Sequence, residues 1–537
     1  MAAQLLDVFG FVSVLLRGGA LALNSLVLGG VAFLTFVRPT EAARVAARRL
    51  IFYSAVSLAV VQICYVGADS MVLEQTAGLG LGELAGANFF LAGSAAICAA
   101  AALAVLTRRD PTVPQSRLLI PAAIAWGALV MTSHAAGRLD HRLGLVFLTV
   151  LHQGATATWI GGLPYLLLAL GRCGEDSIAG CLCGRFSRLA AISVALLAGS
   201  GILMSRLYVG SMAAVYGTPY GAMMAAKAML LARLLCLGGL NFLIVRRKAA
   251  AGARLVNLRR FAEAEVGIGF TVILAAASLT SQPPAGDLPE GPVTAAEVTQ
   301  RMRPRWPRLE TPALNSLSPA TPLGFGRTGQ MVPGLLSFVP GTSYSVSTPG
   351  DIEWSEYNHH WAGLIVLTAG LLALLTRSGL ASWARHWPLA FLGLAVFLFL
   401  RADPENWPLG PRSFWQSFAV ADVLQHRLFV LLIVAFALFE WGVRTGRIVS
   451  RRASLVFPAV CAVGGALLLT HTHSLTNIKE ELLVELSHIP LAIFAVAAGW
   501  SRWLELRLAD PRRQIPAWIW PFCFILIGAV LLNYREA

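Results

Sequence analysis

At 537 residues, 56% hydrophobic and only 13% charged, with a mean hydropathy of +0.67, the chain has too few charges for soluble domains, which carry about 25%. A formal charge of +14 does not signal a nucleic-acid partner, because the basic residues sit in short clusters between apolar runs, as topology signals do. Eight cysteines without paired spacing exclude a disulfide framework.

The first apolar run lacks a basic leader and a small-residue cleavage site, so it is read as a retained helix, with the segment before Arg17 lying along the interface. Runs able to span occur at about 18–37, 50–66, 86–106, 118–136, 144–170, 186–208, 223–245 and 262–281. After a polar interval they resume at about 361–376, 387–401, 419–442, 453–472, 485–504 and 515–533. A crossing needs about 20 apolar residues, so the pattern predicts an all-α polytopic bundle of about 14 transmembrane helices. One alternating set of loops, from Arg38–Arg49 to Arg502–Arg513, holds 26 of the 42 basic residues, and the opposite short loops hold six. The basic loops are therefore expected to be cytoplasmic and both termini extracytoplasmic.

The interval Gln282–Asn358 holds twelve of the 27 prolines and no sustained helical period, apart from one short helix expected near Ala295–Arg301. By parity it lies outside. It divides the chain into an eight-helix membrane domain, 1–281, a Pro-rich connecting loop, 282–358, and a six-helix His-rich domain, 359–537.

On that topology nine of the ten histidines fall in the outer half: His134, His141, His152, His359, His360, His426, His471, His473 and His488. Only His386 lies inside. Ionisable side chains within spans mark function more often than packing. Met131, Met204, Met212, Met223 and Met224 lean the same way. Imidazole with thioether is a ligand mix that suits copper, above all Cu(I). Met131 and His134 share a face at i, i+3, and His152 lies further along the next helix with Thr156 and Trp159 below it. Gly161 and Gly162 permit a close helix approach. Lys227 is the discordant residue, a cation beside a cation site, expected either to pair with Asp69 or Asp140 or to snorkel outward. In the second half His359, His360, His426, His471, His473 and His488 come from four helices. Asp422, at i−4 from His426, and Glu485, at i−3 from His488, are expected to orient these rings or to bind metal themselves. Cys181 and Cys183, with Cys173 in the same cytoplasmic loop, form a C-x-C pair able to accept Cu(I).

The segments SHA, LHQGATATWIGG, RFSRLAAISVALLAGSG and YGTPYGAMMAAK resemble the copper resistance D (CopD) family of bacterial inner-membrane proteins. The resemblance runs from about Arg17 to Thr280. WSEYNHHWAG, DVLQHR, HTHSLTNIKEEL and ELSHIPLA extend it to the family's longer members. It places His134, His152, Trp159 and Lys227 on motif positions. It implies a multi-pass copper importer that takes copper, as Cu(I) or Cu(II), at the periplasmic face, with a periplasmic copper chaperone as a partner.

No nucleotide-binding signature is present, so direct ATP drive is not expected, and a transporter is favoured over an enzyme. Two rival readings stay open. One is a b-haem electron carrier or copper reductase, since paired histidines on adjacent helices also bind haem. The other is a copper sensor or assembly factor that binds copper without moving it.

Overall fold

The computed structural model describes residues 2–109, 114–173, 176–246, 253–288, 292–314, 349–404, 406–418, 421–470 and 478–536. Among them helix is the only regular structure, apart from an isolated bridge between Asn406 and Arg412.

The first half is built from α1 (Ala2–Ala32), α2 (Glu41–Ala77), α3 (Asn88–Arg109), α4 (Gln115–Met131), α5 (Arg142–Thr156), α6 (Leu163–Leu170), α7 (Asp176–Tyr208), α8 (Pro219–Arg246) and α9 (Ala253–Leu279). The expected short helix is present as α10 (Ala295–Met302), whose start carries a complete capping box between Thr294 and Glu297. The second half comprises α11 (Pro349–Ser378), α12 (Ala390–Arg401), α13 (Ala421–Arg444), α14 (Val456–Leu468), α15 (Ile478–Arg507) and α16 (Gln514–Leu532).

Twelve of these helical stretches are long and apolar enough to cross a membrane, and every one coincides with an expected span. The other two expected spans, at α4 and α14, are apolar helices of shorter length. Two details differ from expectation. The residues before Arg17 do not form a separate interfacial helix: α1 runs without a break from Ala2, because no proline interrupts its hydrogen-bond ladder before Arg17 and Gly10 is carried within the helix. The run at 144–170 is not one regular helix either. It passes through a π turn, Ala157–Gly161, between α5 and α6, a feature found mostly at functional sites.

That π turn packs on α1 at backbone distance. A Cβ on Gly161 would lie 1.9 Å from the Ser25 carbonyl oxygen, so no larger residue fits without parting the helices. The same close approach joins the halves: a Cβ on Gly267 of α9 would fall 1.5 Å from the Trp500 ring of α15. Glu263 of α9 accepts from Trp503 at 2.9 Å and from Arg507 at 2.8 Å. Gln282 donates to Glu485 at 2.5 Å. Leu482, Ile489, Ile493 and Val496 of α15 accordingly belong to the first half's apolar core. A second core forms around Trp387, Phe457, Trp520 and Phe524, capped by Arg444, which pairs with buried Glu440 at 2.6 Å.

Candidate metal centre

Between α1, α2, α3, α4, α5, α7, α8 and α9 lies a cavity of about 190 Å³. His134, His152, Met204 and Lys227 all line it, although the first and last are 93 positions apart in sequence. A wider vestibule of about 340 Å³ shares Arg17, Thr132, Ser133 and His134 with it and carries Arg138 and Asp287, which are ion-paired. His134 therefore stands at the neck between vestibule and cavity.

The chain ends α4 at Met131 and turns through Thr132 and Ser133, whose hydroxyls bond back to Leu129 and Val130 at 2.9 Å and 2.6 Å. This turn sets His134 at the start of a single helical turn, His134–Gly137. The backbone carbonyl of Leu279 faces its ring. Nε2 is buried without a hydrogen-bond partner, so Nδ1 meets the carbonyl and Nε2 keeps its lone pair. Burial, reinforced by the positive charge of Arg17, holds the ring's pKa below the ordinary histidine value, which favours the neutral ligand form.

His152 shows the same arrangement deeper in the cavity. The Ser200 hydroxyl donates to the Leu196 carbonyl at 2.6 Å, so it can only accept from His152 Nδ1, 3.2 Å away. That bond fixes the tautomer and again leaves Nε2 as the lone-pair nitrogen. Asn24 Oδ1 and Gln153 Oε1 line the same walls and are also buried without hydrogen-bond partners. A buried polar atom left unpaired costs about 1–3 kcal/mol. Three such acceptors around one cavity leave hydrogen-bonding or ligating capacity that a bound ion or water molecules can take up. The cavity is smaller than the roughly 300–1,000 Å³ that drug-sized molecules occupy, and its size suits an ion with few attached groups.

Met131 is turned away from this cavity and is 38% exposed. The thioether in the wall is Met204. Lys227 is not paired with Asp69 or Asp140. The Asp69 carboxylate is engaged by the Tyr65 hydroxyl and the charge of Arg17, and neither aspartate lines the cavity. Arg17 also donates to the Thr132 carbonyl at 2.5 Å. The sequence reading passed over the polar residues Asn24, Gln62 and Gln153. Each is an amide inside an apolar helix, a signal available in sequence but weaker than a histidine.

Beyond the π turn a second cavity, of about 320 Å³, is lined by Trp159, Cys183 and Glu265 among apolar neighbours. Thr156 borders the first cavity and Trp159 the second, so the π turn divides them. The Glu265 carboxylate is bonded by Asn241. Cys181 and Cys183 do not lie in a loop: they sit in the first turns of α7, Cys181 exposed and Cys183 buried. Residues two apart on a helix point to different sides, so the two thiols do not form a pincer.

The second-half histidines that are described do not gather into one cluster. Among the described residues no group of three or more His, Cys, Asp or Glu side chains is placed to hold a metal. His471 and His473 lie outside the described residues, as does the side chain of Asp422. Both nitrogens of His360 serve main-chain groups: Nδ1 accepts from Arg308 N–H at 2.7 Å and Nε2 donates to the Tyr534 carbonyl at 3.0 Å. His426 pairs with the Asp403 carboxylate at 2.8 Å. Glu485 turns to Gln282. His359 and His488 do approach each other, with ring centroids 6.4 Å apart. His359 stacks on Tyr534 at 3.7 Å.

Comparison with known proteins agrees with the chemistry of the first half. Residues 182–279 match the family model described as Copper resistance protein D. The chain is 31% identical over 159 residues to the Copper transport protein CutJ of Bacillus subtilis (strain 168). That alignment covers 29% of this chain and 28% of the relative's length. No solved structure matches the chain.

Proposed function

We propose that this multi-pass membrane protein belongs to the copper resistance protein D family, a reading supported by the matches over the segment they cover, and that it imports copper across the bacterial inner membrane. The observation that carries this reading is the cavity in which His134 and His152 present lone-pair nitrogens beside the Met204 thioether. Two imidazoles and a thioether form a soft, low-coordinate donor set of the kind Cu(I) accepts.

The basic-loop asymmetry orients the vestibule towards the outside, with all 14 helices spanning and both termini external. Copper then passes His134 at the neck and rests at His152. It crosses the π turn at Trp159 into the second cavity, and leaves by Glu265 and Cys183. An inside-negative potential favours this direction by about 2.3 kcal/mol per charge per 100 mV. His359 and His488 form a subsidiary copper position on the same face, since Glu485, one turn from His488, is bonded to Gln282 just beyond the end of α9. A periplasmic chaperone is the natural donor to the vestibule.

The test is copper accumulation in cells carrying His134→Ala or His152→Ala, normalised to protein in the membrane. Both variants are expected to lose most accumulation at near-normal protein level. Wild-type accumulation in both would remove the first-half site from the mechanism.

A further inference from the structure

Copper binding alone does not account for Lys227. The residue lines the same walls as His134, His152 and Met204, and among the described residues no carboxylate pairs with it. No Asp or Glu lines the cavity at all, while Arg17 adds a second cation to its walls. The remaining polar groups are neutral: the two imidazoles, the amides of Asn24, Gln62 and Gln153, and hydroxyls. A bare copper ion placed there meets the fixed positive charge of Lys227 and of Arg17, whose countercharge Asp69 lies outside the cavity lining, in surroundings that screen poorly, which is unfavourable. An anion in the same space meets two cations.

We propose that copper enters this cavity with a small anion as its co-ligand, the copper held by the histidines and Met204 and the anion by Lys227 and Arg17. The copper that enters the cavity is thus a neutral or anionic complex, halide or carboxylate in chemical class; the anion stays at Lys227 when copper moves inward as a cation, and this rests on the copper reading above. The arrangement gives Lys227 a partner that the protein withholds. It also explains an acid-free wall, because a resident carboxylate would compete with the co-ligand for the ammonium. Ligand exchange at copper suffices, and no electron is transferred.

The experiment uses the purified full-length protein in detergent at a fixed free Cu(I) activity. Copper is supplied either from a cationic acetonitrile complex in perchlorate or in chloride, where Cu(I) is present as an anionic chloride complex. Wild type should hold copper about tenfold more tightly in chloride, the middle of the usual range for coupling between two ligands. Lys227→Met should bind copper from the cationic source at least as well as wild type and show no chloride effect. Lys227→Arg, which keeps the charge, should restore it. A wild type indifferent to chloride would overturn the proposal, and so would a Lys227→Met protein that loses copper from the cationic source, which would make the amine a copper ligand. If neither protein binds copper in any medium, line broadening of the bromide NMR signal decides. Bromide held by wild type and lost in Lys227→Met would sustain the anion site and defeat only the copper reading. Bromide held equally by both, or by neither, would overturn the anion site.

Discussion

Ser200→Ala is the sharpest probe of how the deeper histidine is held. The Ser200 hydroxyl gives its proton to Leu196 and accepts from His152 Nδ1 at 3.2 Å. The substitution therefore strands no donor in α7, since only the hydroxyl's own proton is lost with it. His152 keeps one further acceptor, the Leu197 carbonyl. The ring loses one of two orienting contacts, so the effect belongs at the lower end of the 10–100-fold that outer partners of ligand histidines usually command. That is about tenfold in copper affinity, or about 1.4 kcal/mol. The cost to folding should stay within the 0.5–1.5 kcal/mol of a single hydrogen bond. Competition against a Cu(I) chelator reads the first quantity, and thermal unfolding in detergent reads the second. Gly201→Ala perturbs the same ring from the other side, because its Cβ would stand 3.3 Å from His152 Cε1. Suppose His152→Ala abolishes binding while Ser200→Ala leaves affinity within twofold of wild type. The orientation of the ring would then not depend on this bond, and the assigned tautomer would be wrong.

Gly161→Val should prevent accumulation of folded protein, since even a Cβ there meets the Ser25 carbonyl oxygen at 1.9 Å; the check is the detergent-soluble monodisperse fraction. His360→Ala should destabilise the fold by about 1–3 kcal/mol for each main-chain group it leaves unpaired, yet leave copper bound per folded molecule unchanged. Acidification should weaken the fold through His134. Its pKa lies below the ordinary value in the folded chain, chiefly through burial, so between about pH 6.5 and that lower value the unfolded chain takes up the proton first and stability falls. His134→Gln should therefore lose less thermal stability than wild type between pH 7 and pH 5. Cysteines introduced within 282–314 should react with an impermeant thiol reagent in intact cells, whereas native Cys181 should not. The reverse pattern would invert the orientation and send the proposed route outward.

The apolar runs and basic clusters determined the helical class and the position of every spanning helix, because burial in a bilayer demands a length and a composition that local sequence displays without ambiguity. Histidines within those runs likewise marked the functional half of the molecule, since an imidazole among lipid-facing residues is costly unless used. Tertiary packing decided which of them share a space. His134 and His152 meet across α1, α7 and α9, whereas His360, with an equally suggestive sequence context, is consumed by the backbone of Arg308 and Tyr534. Carboxylates one turn from a histidine looked like its partners, yet His426 and Glu485 also take partners from other elements, Asp403 and Gln282. A helix fixes only which residues share its face, and hydrogen-bond partners across a bundle depend on how neighbouring helices are rotated and how closely they approach. Glycines such as Gly161 set that approach through contacts with residues distant in sequence. For the same reason the acid-free wall around Lys227 emerged only in three dimensions, since it is a property of eight helices at once.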